Sequence, residues 1–229
     1  MQTIGLIGGI SWESSAAYYE GLNKGVQRRT EGNHSAKIVM VSVDQGELLA
    51  LQEAGEWDKA GAILSKAAAD IERGGADFIL IGSSTFHKVF DQIVAAVQIP
   101  VLHLADLIAQ QLLDAKITNV GYVGTTSTMH DTFFVERISN FGIDVDLPDE
   151  LHHETIDTIV YDELVNLKTT ESSHRRVLGI IDELSDAGAQ GIIFGASELS
   201  QLIRPDDLEI PIFDAITVHV NAALDRALA

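Results

Sequence analysis

Three short segments of the chain occur twice, in the same order and at nearly equal offsets. The sequence IGLIGG at residues 4–9 resembles VGYVGT at 120–125, and GADFILIGSS at 75–84 resembles GAQGIIFGAS at 188–197. The third pair is IPVL at 99–102 and IPIF at 210–213. One such match would carry little weight because buried strands look alike, but three in register indicate a duplicated unit. We therefore expect two like-built halves.

Apolar runs alternate with amphipathic segments in both halves, which is typical of parallel strands joined by helices. Strands are predicted over residues 3–7, 37–43, 78–81, 100–103, 119–123, 191–194 and 211–213, and the clearest helices over 14–28, 57–73, 130–140, 150–167 and 171–187. The predicted fold class is α/β, with two pseudo-symmetric Rossmann-like (αβα) halves, mostly parallel sheets and a cleft between the halves. Residues 1–104 plus 215–229 are assigned to the first half and residues 105–214 to the second.

Charge and composition exclude several kinds of partner. The sequence has 34 acidic and 15 basic residues and a formal net charge of −19. A protein with so large a negative charge repels nucleic acids and anionic lipids, so neither nucleic acid nor membrane is an expected partner. No apolar run reaches the ~18 residues that a membrane span needs, and the N-terminus has no basic leader, so a cytoplasmic location is expected. The chain has no cysteine, which excludes disulfides, thiolate metal ligands and thiol nucleophiles.

Small polar residues directly follow four of the predicted strands. These turns are GGIS at 8–11, GSST at 82–85, GTTS at 124–127 and GASE at 195–198. Open parallel sheets bind ligands beyond the carboxyl ends of their strands, where glycine allows close approach and helix N-termini attract anions. Small residues also close tight turns for purely structural reasons, but four hydroxyl-bearing turns at corresponding strand ends favour a ligand site.

The same turns carry a resemblance to a known family. IGLIGGISWESS at 4–15, STFHK at 84–88, LHLAD at 102–106, GT with TM at 124–129 and GASE at 195–198 resemble motifs of the aspartate/glutamate racemases. That family lies within the wider amino-acid and hydantoin racemase group, and the chain is most similar to its L-aspartate/glutamate-specific subgroup. The resemblance covers essentially the whole chain. It implies an acidic amino acid as substrate, racemisation without a cofactor, and a homodimer.

In such racemases two residues on opposite faces of the substrate Cα act as base and acid, and both are usually cysteines. The matching positions here are Ser83 and Ala196. Ser83 keeps the hydroxyl of the threonine found in the similar subgroup, whereas Ala196 stands where cysteine is expected and cannot carry a proton. Three explanations stay open: a naturally inactive ligand-binding member, an engineered replacement, or a changed reaction served by Glu198 or His87. A noncatalytic protein that binds or senses dicarboxylates is the alternative function.

The resemblance also assigns substrate-binding roles. Hydroxyls or turn amides for the α-carboxylate and amine are expected from Ser11, Ser84, Thr85, Thr125 and Ser197. Gln52 and Lys168 are expected to address the side-chain carboxylate, and Glu198 to orient the amine or to support its neighbours. Leu167 beside Lys168 replaces a glycine common in similar proteins. His87 is predicted to act as a cap or through hydrogen bonds behind the site, and His103 to lie in the core.

Neither a metal nor a nucleotide cofactor is expected. The run His152-His153-Glu154 lacks the HExxH spacing that brings two imidazoles to one helix face. The first glycine turn lacks the GxGxxG order of dinucleotide-binding folds. No GxSxG elbow or Walker lysine is present, so hydrolase and nucleotide-hydrolysis functions also lack support.

Overall fold

The computed structural model describes all 229 residues, and the chain divides into two compact units. Unit 1 comprises Met1–Leu107 and Ile216–Ala229, and unit 2 comprises Ile108–Ala215. The chain leaves unit 1 within helix α5 (Leu104–Asp114) and returns to it at the start of helix α10 (Ala215–Leu228). No helix is both long enough and apolar enough to cross a membrane.

Unit 1 contains a four-stranded parallel sheet in the order β2-β1-β3-β4. Its strands are β1 (Ile4–Gly8), β2 (Ile38–Ser42), β3 (Phe78–Ile81) and β4 (Val101–Leu102). Its further helices are α1 (Trp12–Arg29), α2 (Gln45–Glu53), α3 (Trp57–Arg73), a 3₁₀ helix (Thr85–Val89) and α4 (Phe90–Ala95). Every residue of β1 and β3 is buried, as expected for parallel strands covered on both faces.

Alternate residues of β3 belong to two different hydrophobic clusters. Phe78 and Leu80 pack with side chains of α1 and α10, such as Tyr18 and Leu224. Ile79 and Ile81 pack with side chains of α3 and the 3₁₀ helix. Because successive side chains of a strand point to opposite faces, this division places one helical layer on each side of the sheet. Both layers together hold the carboxyl ends of β1 and β3 in fixed positions.

Unit 2 repeats this sheet, with strand order β6-β5-β7-β8 and all strands parallel. Its strands are β5 (Asn119–Val123), β6 (Asp144–Asp146), β7 (Ile192–Phe194) and β8 (Ile212–Asp214). Its α-helices are α6 (Thr126–His130), α7 (Phe133–Ser139), α8 (Glu150–Thr158) and α9 (Glu171–Asp186). Two 3₁₀ helices, Ser197–Gln201 and Pro205–Asp207, precede β8. The predicted α/β fold class, with two like-built parallel halves, is confirmed.

One predicted helix, over residues 150–167, is wrong in its second half. The α-helix ends at Thr158 and continues as a π-helix, Ile159–Glu163, and then a 3₁₀ turn, Leu164–Asn166. Leu167 follows with a φ of 57°, in the left-handed region that favours glycine. Hydrophobic periodicity does not distinguish these helix types, because each buries much the same side chains over a few residues.

Candidate functional site

In unit 1, two of the predicted turns leave neighbouring strands at the same sheet edge. Ile7 of β1 pairs with Ile81 of β3, and the Gly82 N–H donates to the Ile7 carbonyl over 2.9 Å. The turns at 8–11 and 82–85 therefore begin side by side, because parallel strands end at a common edge. Gln52 lies further along the chain in α2, which follows β2, and its side chain is half-buried.

The turn that contains Ser11 is held by internal hydrogen bonds. Ser11 is the N-cap of α1; its hydroxyl accepts from the Ser14 N–H at 3.1 Å and donates to a carboxylate oxygen of Glu13 at 2.9 Å. The buried Ser15 hydroxyl accepts from the Gly9 N–H at 2.8 Å and donates to the Ser11 carbonyl at 2.7 Å. Sequence reasoning did not single out Ser15, although its position four residues after Ser11 places it against that carbonyl.

Ser83 follows β3 in a turn whose backbone is anchored more firmly than its side chain. The half-buried Ser83 hydroxyl accepts from the Phe86 N–H over a long 3.4 Å. The Ser83 carbonyl accepts from Nδ1 of His87 at 2.7 Å, and the Ser84 carbonyl accepts from the His87 N–H at 3.2 Å. Ser84 caps the 3₁₀ helix and Thr85 opens it, and both are half-buried. The Ser83 side chain is thus directed mainly by its backbone.

Thr125, in unit 2, caps helix α6 directly beyond β5. It is buried, and its hydroxyl lies 3.1 Å from the Ser127 hydroxyl. The next residue, Thr126, donates its N–H to a carboxylate oxygen of Asp157 on α8 over 2.8 Å. Sequence reasoning missed Asp157, and no motif in the sequence marks it. Its contact fixes the start of α6 from outside the turn.

Ala196 occupies in unit 2 the place that Ser83 occupies in unit 1. Each residue follows a glycine that directly succeeds the second strand of the central pair, β3 in one sheet and β7 in the other. Ala196 is buried, has an extended backbone and caps the 3₁₀ helix Ser197–Gln201. Its neighbours Ser197 and Glu198 are half-buried, and the Ser197 hydroxyl donates to the Glu198 carboxylate over 3.3 Å.

The buried side chain of Tyr122 packs against the turn that contains Ala196. Tyr122 of β5 lies so close to Gly195 that a Cβ added there would fall 2.2 Å from the tyrosine hydroxyl oxygen. Burial raises the pKa of Tyr122 to about 12, although a hydrogen bond with Thr128 opposes the shift. The phenol is therefore neutral at physiological pH and serves as a hydrogen-bonding and packing group rather than as a ready base.

Lys168 is not at a strand end. It is exposed, between the left-handed Leu167 and the N-cap Thr170 of α9, and its N–H donates to the Glu163 carbonyl over 3.0 Å. The Glu163 carboxylate accepts from the Ser173 hydroxyl at 2.6 Å, which ties this segment to α9. The positive φ of Leu167 gives the physical reason why glycine suits that position.

The structure thus groups the predicted site residues within each unit. In unit 1, Ser11, Ser83, Ser84 and Thr85 follow adjacent strands, and in unit 2 Thr125, Ala196, Ser197 and Glu198 do the same. Gln52 and Lys168 come from segments further from the central strands. No group of three or more histidine and acidic side chains is arranged to hold a metal ion.

Residues 7–223 match the family model described as Asp/Glu/Hydantoin racemase. The chain belongs to the Asp/Glu/hydantoin racemase family. The match includes strands of both sheets of this racemase-family protein and all four of the predicted glycine turns.

Solved structures agree with this assignment. This racemase-family protein is 40% identical to a protein from Yersinia pestis provisionally assigned as an Asp/Glu racemase, with a TM-score of 0.96 and coverage of 100% of both chains. It is 26% identical to an aspartate racemase homologue from Pyrococcus horikoshii OT3, with a TM-score of 0.92 and coverage of 100% of both chains. A glutamate racemase from Francisella tularensis subsp. tularensis SCHU S4, solved with D-glutamate, shares the fold. That match has 12% identity, a TM-score of 0.64, and coverage of 99% of this chain and 81% of that one.

Proposed function

We propose that this protein binds an acidic amino acid, aspartate or glutamate, without a cofactor, with the Ser83 and Ala196 turns on either side of the substrate Cα. The observation that carries the proposal is the correspondence of these two residues, each placed one glycine beyond the equivalent strand of a duplicated sheet. Membership of the Asp/Glu/hydantoin racemase family supports a racemase-like function. In this proposal the ligand occupies the predicted cleft between the halves.

The remaining predicted residues divide according to the groups of the ligand. Hydroxyls and turn amides of Ser11, Ser84, Thr85, Thr125 and Ser197 bind the α-carboxylate and amine. Gln52 and Lys168 bind the distal carboxylate, and Glu198 orients the ammonium group. A local cation is needed in this role because a protein of net charge −19 repels a dicarboxylate at long range. Lys168 is exposed and so is accessible to a ligand.

Ala196 determines how much turnover is expected. Racemisation requires one group to remove the Cα proton and another to return a proton on the opposite face. The alanine methyl group can do neither, and losing one such group typically costs about 10²–10⁴-fold in rate. We therefore propose that the protein binds its ligand but turns it over slowly or not at all. Ala196 equally favours the second candidate, a noncatalytic protein that binds or senses dicarboxylates.

Deuterium exchange at Cα separates these possibilities. The wild-type protein and Ala196→Cys are incubated with L-aspartate or L-glutamate in D₂O, and loss of the Cα proton is followed by NMR. Ala96→Cys, at an exposed position at the end of α4, controls for the mere presence of a thiol. Exchange in Ala196→Cys alone supports an inactivated racemase, and adding Ser83→Ala to that variant should then slow the exchange.

Calorimetric titration with the same amino acids completes the test. Binding without exchange in any variant favours the noncatalytic protein. Absence of binding to aspartate and to glutamate would refute both candidate functions. A homodimer, which the family resemblance implies, belongs to the same proposal, and light scattering coupled to size-exclusion chromatography measures the oligomeric state.

A further inference from the structure

The imidazole of His87 joins two separate parts of unit 1. Nδ1 lies 2.7 Å from the Ser83 carbonyl, and Nε2 accepts a hydrogen bond from the Leu104 N–H over 3.2 Å. Ser83 is in the turn after β3, whereas Leu104 begins helix α5 beyond β4. The ring therefore bridges the ends of two adjacent strands, behind the residue that occupies the first proton-transfer position.

These two contacts define the protonation state of the ring. A backbone N–H can only donate, so Nε2 must present its lone pair to Leu104. The proton of the neutral ring then lies on Nδ1, from which it is donated to the Ser83 carbonyl. A proton on Nε2 would place two donors face to face and would break the contact with Leu104. The neutral Nδ1–H form alone satisfies both partners.

The surroundings of the ring leave it little freedom to turn. Only 2% of His87 is exposed. The ring of Phe90 is stacked nearly parallel to it at 6.4 Å, and the rings of His103 and His219 lie 4.7 Å and 5.9 Å away. The Ser83 hydroxyl, in contrast, has only the long contact with Phe86 to orient it. Positional accuracy at Ser83 must therefore come from its backbone.

We propose that His87 is a positioning residue for Ser83. By holding the Ser83 carbonyl against the start of α5, it fixes the direction in which the Ser83 side chain leaves the turn. This inference rests on the proposed function, in which the Ser83 hydroxyl must point at the substrate Cα. A displacement of about 1 Å at a reacting group can cost roughly 10²-fold in rate, and removal of the bridge is expected to cost that much.

Three variants separate the two halves of the bridge. His87→Asn can place an amide N–H near the position of Nδ1 and keep the bond to Ser83, but it cannot reach Leu104. His87→Gln can reach Leu104 with its amide oxygen but does not reproduce the donor at Nδ1. His87→Ala removes both bonds, and His34→Ala at an exposed position is the matched control. In the Ala196→Cys background, His87→Ala should lower the Cα exchange rate about 10²-fold with little change in KM. His87→Asn should recover more of that rate than His87→Gln.

Two readouts need no ligand and no activity. Nitrogen-15 NMR of histidine-labelled wild-type protein should show a protonated Nδ1 and an unprotonated Nε2 for His87. Amide hydrogen exchange at residues 83–87 should accelerate in His87→Ala and be largely restored in His87→Asn. An Nε2-protonated or doubly protonated ring, or His87→Asn behaving like His87→Ala, would overturn the inference. Absence of Cα exchange and of binding in every variant, with these two signatures intact, would refute the proposed function and leave the bridge established.

Discussion

His219 is expected to make the fold sensitive to mild acid. It is fully buried on α10, and its Nδ1 lies 2.8 Å from the Tyr18 hydroxyl. Burial is the main cause that lowers its pKa from 6.5 to about 3; the nearby His87 adds to the effect, and the Leu102 backbone opposes it. The folded protein thus keeps this imidazole neutral at pH values where the unfolded chain binds a proton. Stability is therefore complete above about pH 6.5 and falls as the pH drops towards 3.

The size of the effect follows from the width of that pH interval. Each pH unit between the two pKa values costs about 1.4 kcal/mol, so acidification to about pH 5 removes roughly 2 kcal/mol through this residue alone. Urea unfolding, followed by tryptophan fluorescence between about pH 7.5 and 5, measures the free energy of unfolding. His219→Gln, which removes the titrating imidazole, should lose about 2 kcal/mol less over this range than the wild type.

Titrating groups that do not interact with His219 contribute equally to both proteins, so the difference between the two curves reports His219 together with its coupling to the nearby His87. His34→Gln, at an exposed position, should follow the wild-type curve. If His219→Gln lost as much stability on acidification as the wild type, the imidazole would not be held neutral by burial and the reasoning would be wrong. Nitrogen-15 NMR of the His219 ring at about pH 5 provides a direct check, because a protonated ring there contradicts the lowered pKa.

Three further substitutions test contacts that support the predicted site. Ser15→Ala leaves the Gly9 N–H without its partner and should lower the free energy of unfolding by about 1–3 kcal/mol in urea titrations; exposed Ala16→Ser is the control. Asp157→Ala removes the acceptor for the Thr126 N–H and should destabilise by about 1 kcal/mol, whereas the exposed Asp162→Ala should have little effect. Leu167→Gly relieves a left-handed conformation that costs a non-glycine residue roughly 1–2 kcal/mol. The greater entropy of glycine in the unfolded chain offsets part of this, so the free energy of unfolding from thermal denaturation should rise by about 0.5–1 kcal/mol. A fall in that free energy would contradict the strain at this position.

The duplicated sheet could be predicted because its signals are local. Buried parallel strands such as Ile4–Gly8 and Phe78–Ile81 are continuous apolar runs, and each is followed by glycine. Strand β6 was missed because Asp144-Val145-Asp146 has a single apolar residue, and its pairing with β5 depends on residues distant in sequence. Helix α2 is not among the clearest predicted helices because its buried surface amounts to Leu48, too little to produce a clear periodicity.

The candidate site shows the same division between local and long-range information. Motif resemblance placed Ser83 and Ala196 at their positions, and their roles stay predictions. Ser15 and Asp157 act on backbone N–H groups that became accessible to them only through the fold. The second contact of His87, to Leu104, likewise joins segments that no sequence pattern connects. Residues that support a site from behind are therefore harder to predict than those that line it.

The buried Tyr122 makes the constraint on Gly195 different in kind from the constraint on Gly82. The repeat aligns Tyr122 with Leu6, and each lies beside the glycine that precedes a predicted proton-transfer position. At Gly82 an added Cβ would lie 3.5 Å from the Leu6 side chain and 2.9 Å from the Ile7 carbonyl oxygen, whereas at Gly195 it would collide with the tyrosine ring. A larger residue at 195 becomes acceptable only after Tyr122 has been exchanged for something smaller. The block at Gly82 comes from the backbone itself and no side-chain exchange removes it, whereas the block at Gly195 lasts only as long as tyrosine occupies position 122.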